Sequence, residues 1–344
     1  MRGRVVAAMA LVLIAATGAG PTASAEPAAV AASATAPNGS RIEKVETVDA
    51  RNLVLHIHSA AMGKTVPVEV QRPADTSQPR PVLYLLNGGG GGEDGVATWA
   101  GKTDALGFLA DKEVNVVTAI GGRWSYYADW ERPDSVLGVN KWQTFFTEEL
   151  PPIIDAALRT NGNNSIAGIS MAGTSVLLLA ITKPGLYRSV GAYSGCAQTS
   201  DPIGHRLVRM SVETWGGGNV ENLWGPPEAP GWTANDPLVH AEKLRGTTLY
   251  ISSGSGLPGR YDRLGDPFMM GDPNNPEQLA NQIVIGGIIE AGTAYCTRNL
   301  ANRLAELDIP ATVDIAPEGT HSWGYWRDDL QRSWPTLAAG LHGN

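Results

Sequence analysis

SIAGISMAGTSVLLLA, residues 165–180, begins as a short apolar run closed by glycine, places one serine after it, and continues into a small-residue and leucine-rich stretch. Five buried strand residues followed at once by a helix pattern is the punctuation of a parallel α/β sheet. Ser170 falls on the turn between the two. Gly168 lies two residues before it, and Ala172 and Gly173 follow. A sharp strand-to-helix turn crowds the backbone, so small neighbours are required if the serine is to project its hydroxyl. The spacing approximates G-x-S-x-G, with alanine at the second glycine position. On this stretch alone Ser170 is either a nucleophile or the N-cap of the following helix.

Outward from this stretch the same alternation recurs. LVLHIHSA (53–60) and VPVEVQRP (66–73) have period-two patterning and predict an antiparallel opening hairpin. RPVLYLLNGGGGG, NVVTAIGG (115–122), SVGAYSG (189–195), TTLYISSG (247–254) and ATVDIAP (311–317) read as further strands, and 142–159, 172–181 and 288–307 as helices. Strands alternating with helices predict a mostly parallel central sheet covered on both faces, an α/β fold. Residues 202–236, rich in Gly, Pro and Trp, read as a loop-built insertion over the sheet.

The first 25 residues combine a basic start, an apolar run too short for a bilayer and ASA at 23–25, the pattern of a signal peptide. Its removal takes away Arg2 and Arg4 and no acid, so the net charge moves from −8 to −10. Residues 26–42 read as a flexible Ala/Pro/Ser-rich leader and 43–344 as one domain. With no basic run to track phosphates, nucleic acid is excluded as a partner. No later stretch is apolar enough to span a membrane. In an exported chain the only two cysteines, Cys196 and Cys296, predict a disulfide. Neither CxxC nor HExxH occurs, so no metal site is expected, and no cofactor motif is present.

A serine nucleophile needs a base and an acid. His321, in PEGTHSWGYW, follows the last predicted strand, where a loop lifts an imidazole to the carboxyl end of the sheet. Topology favours an acid in the loop after TTLYISSG, which offers Asp262, Asp266 and Asp272; Glu290, at the start of a predicted helix, is the other candidate. Residue mechanics leave these open. Oxyanion donors are expected from the Met171 amide and from the glycine loop after YLLN. That loop lacks the Lys-Ser or Lys-Thr of a phosphate cradle.

YLLNG, GGRWSYYADW, ELP, GISMAGTSVLLLA, NLWGP with NDP, and GTHSWGYWRDDL together resemble the secreted mycolyltransferases of the antigen 85 group, over roughly residues 55–330. The resemblance implies an α/β-hydrolase fold and a serine that carries a mycoloyl group from trehalose monomycolate to a sugar hydroxyl. It implies a secreted enzyme acting at the lipid layer of the envelope. It places Ser170 on the nucleophile, His321 on the histidine and Glu290 on the acid. Gly89 takes the second oxyanion amide. It also points to Asn87, Gly90, Asp129, Trp130, Ser322 and Trp323 as substrate contacts, with Trp124 able to join them and Trp215, Trp224 and Trp232 weaker candidates. The chain departs from antigen 85 at Asn87-Gly88-Gly89-Gly90, where that group has Asp-Gly-Leu-Arg. The arginine contact to trehalose is missing, and the loop looks closer to the corynebacterial-type branch. A secreted carboxylesterase and a non-catalytic glycan or host-protein binder of the same fold are the alternatives.

Overall fold

The computed structural model describes residues 29–343. The signal-peptide reading of 1–25 lies outside them. Nine strands form one sheet: β1 (Arg41–Thr47), β2 (Asn52–Ser59), β3 (Lys64–Gln71), β4 (Val82–Leu86), β5 (Asn115–Ala119), β6 (Asn164–Ile169), β7 (Tyr187–Tyr193), β8 (Thr248–Ser253) and β9 (Thr312–Ile315), in the order β1-β2-β3-β5-β4-β6-β7-β8-β9. The first three strands and the β3–β5 pair are antiparallel; from β5 to β9 every pair is parallel. The hairpin read from period two is β2–β3, with Leu55 opposite Val68 and Ile57 opposite Val66.

All residues of β4, β5 and β6 are buried, as strands covered on both faces must be. Along β4 alternate residues serve two cores. Val82, Tyr84 and Leu86 pack with α1 (Leu150–Leu158) and α2 (Met171–Thr182), while Leu83 and Leu85 share the other face with the C-terminal helix. The remaining long helices are α3 (Pro202–Arg209), α4 (Gly287–Glu306) and α5 (Trp323–His342). This is the α/β-hydrolase arrangement. It brings the carboxyl ends of β4, β6, β7 and β8 to one rim.

Two readings change and one helix is added. Residues 202–215 are helical instead of loop: Asp201 caps α3 by accepting from the Ile203 and Gly204 amides, and the helix continues into a π-helical turn, Met210–Trp215. Mixed glycine and tryptophan hid a capped helix whose apolar face is narrow. The residues from 29 to 42 do not form a free leader, because Ala34 and Ala36 are core residues and the Ala31 amide donates to the Ala157 carbonyl at 3.0 Å. Alanine carries little pattern, so its burial was illegible. Finally α5 went unread because Pro335 and Gly340 punctuate it. Gly340 is there for contact: a Cβ at this position would lie 2.5 Å from Ser189 Oγ on β7.

Cys196 and Cys296 form a disulfide, joining the segment after β7 to the middle of α4. Among the described residues no helix is long and apolar enough to cross a membrane.

Candidate active site

Ser170 sits between β6 and α2 with φ 57° and ψ −123°, a conformation costly for a residue with a Cβ. Its amide donates to the Tyr193 carbonyl at 2.9 Å, which locks the turn against the end of β7. A Cβ on Gly168 would meet Ala172 Cβ at 2.8 Å, and one on Gly173 would meet the Tyr193 carbonyl oxygen at 2.5 Å. So the glycine needed for close packing on β7 is Gly173, and Ala172 is the residue that fits against Gly168. The serine side chain makes no cap to its own helix. It faces His321 instead.

His321 Nε2 is 2.7 Å from Ser170 Oγ, and His321 Nδ1 is 2.7 Å from Glu290 Oε2. Both His321 and Glu290 are buried. The second carboxylate oxygen of Glu290 accepts from Ser194 Oγ at 2.6 Å, Ser253 Oγ at 3.0 Å and the Gly254 amide at 2.7 Å. Three donors on one oxygen hold the carboxylate so that the other faces the imidazole. Ser194 is itself oriented by Trp326 Nε1, 2.9 Å away, and the Trp326 ring lies edge-on to His321 at 4.8 Å. Ser194, Ser253, Gly254 and Trp326 were not found from sequence. Small residues at the ends of two parallel strands were the one signal for Ser194, Ser253 and Gly254, and Trp326, inside α5, had none.

The aspartates after β8 do other work. Asp262 accepts from the Gly259 amide, Gln282 Nε2, Tyr325 Oη and Thr320 Oγ1, so it ties its own loop to the one that carries His321. Asp266 caps a turn through the Phe268 amide, and Asp272 accepts from the Asn274 amide. The end of β8 therefore supplies not the carboxylate that meets His321 but two donors to it, Ser253 Oγ and the Gly254 amide.

Met171 is the first residue of α2, so its amide has no intrahelical acceptor. Across from it, the loop after β4 approaches closely enough that a Cβ on Gly88 would stand 3.5 Å from Ser170 Cβ. The Gly89 carbonyl is turned away to accept from the Trp124 amide at 2.7 Å.

Several expected substrate contacts are otherwise engaged. Asn87 is fully buried and its Oδ1 accepts from the Trp99 amide at 3.1 Å. Asp129 caps the turn at Thr144, accepting from its amide and hydroxyl. The Trp130 ring is shut in the core, with Nε1 on the Ser125 carbonyl. Ser322 is buried at the N-cap of α5, and Trp323 is buried between Trp99 and Trp326. Asn87, Trp130, Ser322 and Trp323 are thus enclosed while Asp129 is half-buried, and Asn87 Nδ2, Ser322 Oγ and Trp323 Nε1 are buried polar atoms with no hydrogen-bond partner among the described residues. Trp224 and Trp232 pack on each other in the core at 5.2 Å. Gly90 has open space around it and stays at the surface of the site, as do Trp124 and Trp215.

Behind Glu290 lies a second buried carboxyl, Asp329 on α5, accepting from Ser252 Oγ at 2.9 Å and paired with Arg332. Burial pushes it up to about 7, partly offset by Arg332 and Ser252 and reinforced by the charges of Glu290 and Asp314. Between its unfolded value near 3.8 and about 7 the folded chain holds a proton that the unfolded chain has lost. Stability contributed here is therefore present at the acid side and is lost as pH rises through that window. The free energy of unfolding from pH 5 to pH 8 should fall less steeply for Asp329→Asn than for the parent, by an amount on the order of a few kcal/mol over the range, read by denaturant unfolding at each pH. Parallel curves would contradict the assignment.

The model of the Esterase family matches residues 59–337. A diacylglycerol acyltransferase/mycolyltransferase Ag85B from Mycobacterium leprae is 31% identical over 290 residues, covering 82% of each chain. A protein of the same description, Ag85A from Mycobacterium bovis, is 31% identical over 83% of this chain and 80% of its own. Among solved structures, MPT51 (FbpC1) from Mycobacterium tuberculosis superposes with a TM-score of 0.67 at 23% identity, covering 83% of this chain and 97% of that one. An S-formylglutathione hydrolase from Agrobacterium tumefaciens shares the fold at 16% identity and a TM-score of 0.57, over 87% of this chain and 99% of its own.

Proposed function

Since the chain belongs to the Esterase family and to its antigen 85 mycolyltransferase group, we propose that it is a secreted acyltransferase that moves a mycoloyl group from trehalose monomycolate to a sugar hydroxyl through an acyl-Ser170 intermediate. The observation that carries the proposal is the continuous line Ser170–His321–Glu290, with 2.7 Å at each link. His321 Nε2 accepts the Ser170 proton as Oγ attacks the ester carbonyl. Glu290 holds the Nδ1–H tautomer that this requires and stabilises the imidazolium. The oxyanion that forms is held by the amides of Met171 and Gly89, each such donor being worth about 10²–10³ in rate. Collapse expels the sugar, which takes the proton from His321. A second sugar hydroxyl then gives its proton to His321 and attacks the acyl-serine; collapse breaks the acyl–Oγ bond, His321 returns the proton to Ser170 Oγ, and the acylated sugar leaves.

Two experiments test this. A fluorophosphonate should label the parent at Ser170; absence of label in folded protein would make the chain a binder of this fold. Mass spectrometry of products from trehalose monomycolate, with and without added sugar, should show the acyl group on sugar. Free acid alone, whatever sugar is added, would make it a carboxylesterase.

A further inference from the structure

Trp124 has φ 56°, a backbone conformation that bulky residues avoid, and Tyr126 and Tyr127 beside it are also left-handed, at 57° and 47°. Such strain persists only where the surroundings enforce it. Here the enforcing contact is with the glycine loop. The Trp124 ring lies where a Gly89 side chain would start, its Cζ3 only 2.2 Å from the ideal Cβ position, and its amide donates to the Gly89 carbonyl. The strained stretch is also pinned from the serine side, since the Tyr126 amide contacts Met171 Sδ at 3.2 Å. On its far side Trp124 packs over Gly216 and against the Trp215 ring, 5.5 Å away and tilted by 39°. Trp215, at the end of the π-helical turn after α3, is 40% exposed.

We propose that Trp124 and Trp215 form an aromatic platform beside the Ser170 site that binds one sugar ring of the substrate by stacking on its C–H face. The proposal gives the acyl-transfer reading its sugar-recognition element, and it can be tested without that chemistry. Two features choose a sugar over an alkyl chain. The platform is flanked by Glu93 and Arg123, whose side chains pair at 3.6 Å at the tip of the glycine loop and offer hydrogen-bonding partners to hydroxyls. An alkyl chain has an uncharged surface elsewhere: Val284 and Ile285, in the π-helical turn before α4, and Ile288, in its first turn, are exposed. A large aromatic face with polar groups at its edge is the usual combination for a ring that is apolar on its faces and polar at its rim.

Ser170→Ala enzyme, which cannot turn over, should bind trehalose saturably, read by tryptophan fluorescence or calorimetry. Adding Trp215→Ala should raise Kd about tenfold, the loss of one ring contact. Trp215→Phe, which keeps an aromatic face, should recover most of the affinity. Absence of trehalose binding, or binding indifferent to Trp215→Ala, overturns the platform, as does a Trp215→Ala effect confined to octyl-chain ligands. Failure of the acyl-transfer reading is seen separately, as a parent protein that fluorophosphonate does not label.

Discussion

Ser170→Ala is expected to lower acyl-transfer turnover by about 10⁶-fold, leaving only what positioning and the oxyanion amides supply. Alanine keeps the Cβ, so it keeps the same steric demand at φ 57° and the same approach to Gly88. What it removes is the oxygen 2.7 Å from His321 Nε2. Thermal unfolding should stay close to that of the parent, because the change removes one part-buried hydrogen bond to His321 and leaves the turn's packing intact. Turnover within tenfold of the parent, in a sample that melts normally, would remove Ser170 from the mechanism.

The second large effect separates the two acids. Glu290→Gln should cost about 10⁴-fold in kcat, by the tautomer argument that applies to any acid behind a catalytic imidazole. Ser194, Ser253 and Gly254 all donate to Oε1, so the glutamine would turn its oxygen to them and its NH₂ to His321. An NH₂ facing Nδ1 needs Nδ1 as an acceptor, which puts the imidazole proton on Nε2. That nitrogen then cannot take the Ser170 proton. Asp262→Asn should act only through position. It loosens the tie between Thr320, Tyr325 and the loop before them, a displacement worth at most about 10²-fold. Steady-state kinetics of the two variants side by side decide it. A greater loss in Asp262→Asn would reverse the assignment.

Much of this architecture was legible in the sequence because it obeys one rule at a time. β2 and β3 alternate, β4 to β6 are mostly apolar and buried throughout, and α2 and α4 begin within a residue of their patterns. The illegible parts obey two rules at once. β1 is an edge strand with only Ile42 fully buried, so its pattern is that of a charged surface. The Trp residues of GGRWSYYADW and GTHSW look alike on paper, yet Trp130 and Trp323 are core and Trp124 is at the mouth. Composition cannot tell a ring at the surface from one that fills a void; packing decides it, with Trp130 and Trp323 enclosed and Trp124 half-exposed. The acid was open for a related reason. Glu290 and Asp262 are both near His321 in space, and only the direction of their hydrogen bonds distinguishes partner from scaffold.

The packed residues ahead of β1 bear on where this chain may be cut. Glu149 is fully buried and its carboxylate accepts from Asn38 Nδ2, Ser59 Oγ and the Ala61 amide, while Ser40 Oγ accepts from the Ala60 amide. Asn38 thus covers a buried carboxylate, and Ser40 fixes the turn at Ala60 beside it. A recombinant version started at Arg41, as its alanine-rich prologue would tempt one to do, would unplug that anion and strip one of its three donors. Affinity tags and fusion joints belong upstream of residue 29, where no described contact would be cut.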